Sequence, residues 1–459
     1  MIPDWKNKKV AIVGIGVEGL SSAAYLKEKG AAITFLDKRN ETEFEPATLQ
    51  EARSVSAKQI LGEKYLADLA GYEMIVRSPG VKVSTPQLQA AKKNGVVLTS
   101  QTQLFLEMCP GKVIGVTGTK GKGTTSSLIY EMLKKQGYNV YLGGNIGKPP
   151  FTFLDRVGSQ SWVVLELSSF QLQDLTISPH IAVMLMVTSE HLDYHQDTLE
   201  YVQAKRQIIA HQTSEDFAVL NRDYPASQES DILTEGKVFW VSRERETDNG
   251  CYGFGNKIYI KRNGFEEELL HTDEILLPGK HNVENACAAT MAAILAGVSR
   301  KHIVSVLKEF PGLEHRLELV REVDGVRYYD DSFSTTPETA IAAIEAFNSP
   351  EILILGGSSK SSDFSLLGEV ISDAENIKAV IGIGKEWQRI KEALKEPKIE
   401  FLLIEGADTM EKIVQATATI SVPGDVVILS PACASFDMFK NYKDRGEQFK
   451  KEVMKLGKN

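Results

Sequence analysis

The chain has 459 residues, 42% of them hydrophobic and 25% charged, with a formal net charge of −9. At roughly 150 residues per domain, that predicts about three domains of an ordinary globular protein. The acidic balance excludes a protein that coats nucleic acid or an anionic membrane, since either needs a basic footprint. No apolar run reaches the ~18 residues of a membrane helix. The start, Met1-Ile2-Pro3-Asp4-Trp5-Lys6, lacks the apolar core of a secretory signal. Cys109, Cys251, Cys287 and Cys433 are scattered and form no Cys-x-x-Cys, so they read as reduced thiols of a cytoplasmic protein.

In chain order, residues 9–13 read as a buried strand, 14–19 as a glycine turn and 20–29 as a helix. Strands follow at 33–36, 74–76 and 96–98. A second unit opens near Glu107, with a strand at 112–116, a Gly/Thr/Lys loop and a helix at 125–136. Strands at 162–167, 181–187 and 218–220 surround a helix at 199–209. Residues 240–275 look irregular, with short antiparallel strands. Helices at 282–296 and 303–310 lead to Pro311-Gly312, a natural boundary. The third unit alternates strands at 326–329, 352–355, 379–383, 401–404 and 426–429 with helices, and ends in a charged helix. This rhythm predicts α/β units with parallel-rich sheets, divided as 1–106, 107–311 and 312–459.

The strongest chemical signal is Gly118-Thr119-Lys120-Gly121-Lys122-Gly123-Thr124 between a β-branched strand and a helix. Glycines let backbone N–H groups wrap a phosphate, the helix N-terminus adds partial positive charge, and Lys122 reaches the terminal phosphates. The strict Walker pattern fails twice. Val116 stands where its first glycine belongs, and Gly123 stands where a hydroxyl is expected, which leaves Thr124 as the Mg²⁺ ligand. Gly14-Ile15-Gly16-Val17-Glu18-Gly19 fits G-x-G-x-x-G, and Asp37 ends the next strand. Alone, this reads as a dinucleotide site, as glycines that merely allow tight packing, or as a turn for another nucleotide.

Weaker signals surround these two. Glu166 closes an apolar strand, and an acid there beside a phosphate loop commonly binds Mg²⁺. His191 follows another strand; with His195 four residues on but no Glu after His191, it is not a zinc-protease pair. Taken alone, Lys205 is a solvent-facing helix lysine. His315-Arg316, Asp330-Asp331 and the Gly356-Gly357-Ser358-Ser359-Lys360 turn are candidate anion contacts. Ser435, in the Ser430-Pro431-Ala432-Cys433-Ala434-Ser435 run, reads either as a ligand contact or as the N-cap of the last helix.

Taken in order, these segments resemble the Mur ligases across essentially the whole chain. The most specific parts are Gly118–Lys122, Leu165–Gln171, Gly279-Lys280-His281-Asn282, Gly312–Arg316 and Leu429–Ser435. The likeness is strongest to the members that join D-glutamate to UDP-N-acetylmuramoyl-L-alanine. It implies an N-terminal Rossmann-like domain for UDP, a central P-loop-type ATPase domain and a C-terminal Rossmann-like domain for the amino acid.

The implied reaction is amide-bond formation through an acyl phosphate, driven by ATP in peptidoglycan precursor synthesis, by a protein acting as a monomer. By the same resemblance, Val17, Glu18, Asp37, Lys38, Arg39, Ser78, Gly80, Asn145 and His191 would hold the UDP-sugar. The loop residues with Asn282, Asn285, His315, Arg316 and Asp331 would hold ATP. Thr335, Lys360, Ser435 and Tyr442 would form the amino-acid pocket. Thr124 and Glu166 would bind one Mg²⁺. His191 and Lys205 would bind a second, with Lys205 carried as a CO₂-derived carbamate.

Three departures bear on the acceptor. Phe333 stands where many members have lysine, Tyr442 where phenylalanine is common, and Met186 where asparagine is frequent. The Phe333 run also resembles relatives that accept L-glutamate, while the Ser430–Ser435 run favours D-glutamate, which is the expectation here. Two other classes stay open at this level: a dinucleotide oxidoreductase with a separate ATPase region, and a folylpolyglutamate-synthase-like ligase.

Overall fold

A computed structural model of the chain describes residues 4–56, 58–188, 194–359 and 362–457. His191 and Lys360 lie outside the described residues. Three sheets carry the architecture. The first comprises β1 (Lys9–Val13), β2 (Ala32–Asp37), β3 (Gln59–Leu61), β4 (Met74–Arg77) and β5 (Val97–Ser100). Its order is β3-β2-β1-β4-β5, all parallel. Strand order reverses beside β1, and the Gly14–Gly19 turn leaves from that point, where α/β sheets bind ligands.

The second sheet comprises β6 (Lys112–Thr117), β7 (Val140–Gly144), β8 (Trp162–Glu166), β9 (Ile181–Met184), β10 (Phe217–Asn221), β11 (Lys237–Ser242), β12 (Gly250–Phe254), β13 (Lys257–Arg262) and β14 (Phe265–His271). Its order is β14-β13-β12-β11-β10-β9-β6-β8-β7. It is parallel from β7 through β12, and antiparallel only along β12-β13-β14. The β13–β14 turn is Asn263-Gly264, both at positive φ, as a two-residue hairpin loop of the mirror-image type requires.

The third sheet comprises β15 (Glu318–Val323), β16 (Val326–Asp330), β17 (Glu351–Gly356), β18 (Ile377–Ile383), β19 (Leu402–Ile404) and β20 (Val426–Leu429). Its order is β15-β16-β20-β17-β18-β19, with only β15 antiparallel. Both faces are packed: Leu353 and Leu355 point into one apolar cluster, Ile352 and Ile354 into the other. Continuous apolar strands such as Glu-Ile-Leu-Ile-Leu-Gly are what a sheet covered on both faces demands.

Residues 1–272 with 283–306 form one compact unit, and 273–282 with 307–459 the other. In the first unit, one core joins the first two sheets. Val10, Ile12 and Phe35 share it with Phe151, Val163, Leu165 and Tyr201.

The differences from the sequence expectation are local. Residues 181–187 end as a strand at Met184, and residues 140–144 and 318–323 are strands that periodicity did not show. Ser435 does not cap the last helix. That helix is Tyr442–Val453, and Asn441 caps it by accepting from the Asp444 N–H. Lys205 does not face solvent. Its side chain is only 1% exposed.

Candidate active site

The phosphate-type loop sits at the carboxyl edge of the second sheet. Register places Val116 opposite Glu166, Thr117 opposite Met184 and Gly144 opposite Glu166, so these strand ends are level. β6 lies between β8 and β9, where consecutive connections run in opposite directions, so the loop leaves from a switch point. Gly121 is the N-cap of the helix Lys122–Gln136 at φ +83°, and a Cβ there would run into the Asn285 amide. Only glycine satisfies both conditions. Asn285 also accepts from Thr125 Oγ1 at 3.3 Å, which places it beside the loop.

Two lysines converge on one oxygen. Lys122 Nζ donates to the Gly118 carbonyl at 3.0 Å and to that of Thr119 at 3.0 Å. Lys205 Nζ donates to the same Gly118 carbonyl at 2.8 Å and approaches Thr117 Oγ1 at 3.4 Å. Tyr201 lies beneath it, with its ring centroid 4.7 Å from Nζ and its hydroxyl 3.1 Å from Thr119 Oγ1. Buried charge is costly, and two like charges at one carbonyl add to that cost. Thr124 stands in the first helical turn, Lys120 is exposed, and Gly123 is packed. Asn145 is tied to Glu166 through its backbone, its N–H donating to the Glu166 carbonyl at 3.0 Å. A Thr124 hydroxyl and a Glu166 carboxylate are hard oxygen donors of the kind Mg²⁺ takes, on two elements that open at the same sheet edge.

The first-sheet turn is held differently from a dinucleotide site. Asp37 Oδ2 accepts from Ile15 N–H at 2.7 Å and from Arg39 Nη2 at 2.8 Å. Oδ1 accepts from Arg39 N–H at 3.0 Å and Nε at 3.1 Å. These four bonds use the lone-pair sites of the carboxylate, leaving none for a ribose diol. Burial opposes ionisation of Asp37. The bonds from Arg39 and Ile15 outweigh it and hold the carboxyl below its usual range.

Around the turn, Gly14 at φ +101° faces the Ser78 side chain so closely that no Cβ fits. Val17 is 70% exposed at the first turn of the helix Val17–Glu28. Lys38, Arg39 and Gly80 are exposed, and Ser78 is half-buried. Glu18 accepts from Gln171 Nε2 at 2.7 Å; burial pushes its carboxyl up to about 7, against that bond and the charge of Arg77.

In the other unit, the ring of His315 is buried at a positive φ of 63°, and Nδ1 is 2.7 Å from Asp330 Oδ2. Burial works to lower the imidazole's pKa, but the Asp330 carboxylate outweighs it and raises it. Arg316, next in sequence, is exposed, and its guanidinium stacks 3.8 Å from the centroid of Phe333. Tyr442 meets the same ring edge-on at 5.1 Å. Phe333 therefore cradles a neighbouring cation. Asp331 accepts from Leu317 N–H and Ser430 Oγ, and burial pushes its carboxyl up to about 7. Asn282 donates to the Pro278 carbonyl at 2.7 Å. Ser435 is buried, and Thr335 is half-buried next to Thr336, the N-cap of Pro337–Ile344.

Sequence reasoning missed several supports. Arg445 is fully buried, and its guanidinium bonds Ser332 and the carbonyls of Cys433 and Ala434. Arg77 is buried as completely and pairs with Asp174. The available signal was an arginine closing the apolar strand Met-Ile-Val-Arg, because such a charge is buried only when paired.

Two switch-point glycine turns, each opening a helix, make this an α/β protein with two loops of the phosphate-binding type. Comparison with known proteins narrows the class. Residues 8–100 match the Mur ligase MurD-like N-terminal domain, 116–293 the Mur ligase middle domain and 315–433 the Mur ligase glutamate ligase domain.

The UDP-N-acetylmuramoylalanine--D-glutamate ligase of Acetivibrio thermocellus is 41% identical over 98% of this chain and 96% of its own. That of Clostridium acetobutylicum is 38% identical over 98% and 97%. The chain belongs to the Mur ligase family. Among solved structures, the Thermotoga maritima MurF ligase in complex with ADP shares the fold at a TM-score of 0.58 and 20% identity, over 99% of this chain and 97% of that one. UDP-N-acetylmuramate-alanine ligase MurC from the same organism does so at 0.56 and 17%, over 97% and 99%. In the described residues, no helix is long and apolar enough to cross a membrane.

Proposed function

We propose that this protein is the ATP-dependent ligase that joins D-glutamate to UDP-N-acetylmuramoyl-L-alanine, a step of peptidoglycan precursor synthesis in the cytoplasm. The full-length likeness to D-glutamate ligases carries the reading. The loop geometry supports it, with the Lys122 ammonium at the glycine loop and Lys205 buried against the same Gly118 carbonyl. The saturated Asp37 carboxylate speaks against a dinucleotide oxidoreductase. A complete five-stranded N-terminal sheet speaks against a folylpolyglutamate-synthase-like enzyme.

In this reading residues 1–106 hold the UDP-sugar, 107–311 ATP and 312–459 the amino acid. Val17, Glu18, Lys38, Arg39, Ser78, Gly80, Asn145 and His191 line the sugar-nucleotide site, and Asp37 fixes its turn. Gly118 to Thr124, with Asn282, Asn285, Arg316 and Asp331, bind ATP, while His315 supports Arg316. Thr335, Lys360, Ser435 and Tyr442 receive glutamate, with Lys360 pairing its side-chain carboxylate.

The lactoyl-alanine carboxylate attacks the γ-phosphorus and ADP leaves, giving an acyl phosphate. The glutamate amine then attacks the acyl carbon, a tetrahedral adduct forms, phosphate departs and the amine loses its proton. Lys122 offsets the phosphoryl charge as it is transferred. Thr124 and Glu166 would hold one Mg²⁺, and His191 and Lys205 a second, which would supply further charge neutralisation for phosphoryl transfer.

Lys205 takes that role as a carbamate. Its neutral amine attacks CO₂, an N–C bond forms, a proton leaves, and a buried cation beside Lys122 becomes an anion attracted to it. The test is Lys205→Ala: activity falls by about 10²-fold or more and partly returns with millimolar acetate or formate. No recovery with any short carboxylate refutes the carbamate.

A further inference from the structure

Arg77 ends β4 immediately before Ser78, and it is fully buried. All five of its N–H donors are used. Nε and Nη2 donate to the two oxygens of Asp174 at 3.2 and 2.9 Å. Nη1 donates to the carbonyls of Ser78, Pro79 and Val81 at 3.1, 3.2 and 2.6 Å. Nη2 also reaches the Phe170 carbonyl at 3.3 Å. The side chain therefore grips the whole Ser78–Val81 turn of the first sheet. With the same planar fork it grips the short helix Ser169–Leu172 and Asp174, which follow Glu166 in the second sheet.

Two lighter straps run alongside. Gln171 donates to Glu18 at 2.7 Å, and Tyr194 donates to the Pro79 carbonyl at 3.2 Å while accepting from Gln173 at 2.8 Å.

Asp174 stays partly exposed, but burying the Arg77 end of such a pair is not an efficient route to stability. Well-packed apolar residues of similar volume are commonly as good or better. What a bidentate guanidinium supplies instead is fixed geometry.

We propose that Arg77 and Asp174 are positioning residues for the ligation. They fix the turn that carries Ser78 and Gly80 at a set distance from the segment after Glu166, and so align the sugar-nucleotide's carboxylate with the phosphoryl group. The proposal rests on the ligase reading above. ATP binding uses no group of the first-sheet side; the sugar-nucleotide takes most of its contacts from that side, with Asn145 and His191 across the clamp, and in-line attack needs the two sides in register. Loosening the clamp should therefore cost turnover more than affinity.

The test compares wild type, the apolar pair Arg77→Met with Asp174→Leu, and Arg77→Lys. It reads phosphate release, thermal midpoint and backbone amide exchange. Misplacement of about 1 Å predicts a fall in kcat of about 10–100-fold in the apolar pair, with KM for ATP within about threefold and KM for UDP-N-acetylmuramoyl-L-alanine raised by less than kcat falls. Arg77→Lys recovers part of kcat. Exchange rises at residues 78–81 and 170–174 together.

An unchanged kcat overturns the proposal, as does a loss confined to KM for the sugar-nucleotide. Should the apolar pair not fold, Arg77→Lys with kcat equal to wild type overturns it. If wild type itself does not turn over, the ligase reading fails. The exchange arm still decides the clamp, because no rise in either segment refutes it.

Discussion

Replacing Phe333 by leucine tests whether an aromatic ring has taken over the support of a cation in this protein. The Arg316 guanidinium lies 3.8 Å from the Phe333 centroid, and Tyr442 backs the ring edge-on at 5.1 Å. Phe333 is 38% exposed, so the stacking belongs to the weaker, solvated kind. At such sites a cation–π contact contributes about 0.5–1 kcal/mol, a factor of about two to five in an equilibrium constant. Leucine keeps apolar bulk but has no ring quadrupole. Phosphate release at saturating D-glutamate should show KM for ATP raised by about two- to fivefold, with kcat changed less. Phe333→Tyr should match wild type, and Arg316→Ala should make the Phe333→Leu effect disappear, since the two residues then act as one unit. A Phe333→Leu enzyme with unchanged KM for ATP refutes the argument, as does a tyrosine variant as impaired as leucine.

Two other perturbations follow from buried carboxyls. Glu351 is fully buried, with Oε1 bonded to Asn376, and burial pushes its carboxyl up to about 9. An acid whose folded pKa is raised costs nothing below its unfolded pKa near 4.5, and the cost grows as pH rises toward 9. Glu351→Gln should therefore stabilise by about 2–3 kcal/mol at pH 7, raising the thermal midpoint there but not at pH 4. Equal midpoints at both values would contradict this.

Asp37 runs the other way. Its folded carboxyl is lowered, so its contribution is complete above the unfolded value of 3.8 and fades as pH falls below it. Asp37→Asn should cost about 1–3 kcal/mol at pH 7 by turning an N–H toward the Ile15 and Arg39 donors, and should weaken sugar-nucleotide binding in calorimetry. NADH titration of wild type should give no saturable signal, and tight binding would revive the oxidoreductase reading.

The fold was largely legible because its strands are short apolar runs between glycine turns and helical runs. Lys9–Val13 and Val426–Leu429 have the predicted bounds. Val140–Gly144 was hidden by the glycines at its end, which draw attention as a ligand loop. Glu318–Val323 was hidden by its charges, which suit a half-buried edge strand.

Glycine loops mark a candidate site locally, since phosphate binding needs consecutive backbone amides. Lys205 and Arg77 do not show themselves in that way. Each looks like a surface residue until tertiary packing buries it against a carbonyl or carboxylate far along the chain. Phe333 showed the converse. A missing lysine was visible in sequence, but the cation stacked on its replacement was visible only in three dimensions.

Acceptor-dependent ligation can be decided in a single assay. Purified protein with ATP, Mg²⁺ and UDP-N-acetylmuramoyl-L-alanine is given D-glutamate or L-glutamate, and both phosphate release and the amide product are followed. Stoichiometric phosphate and dipeptide product are expected with D-glutamate, and little of either with L-glutamate. Preferential turnover of L-glutamate would contradict the assigned acceptor, and no turnover with either would contradict the ligase itself.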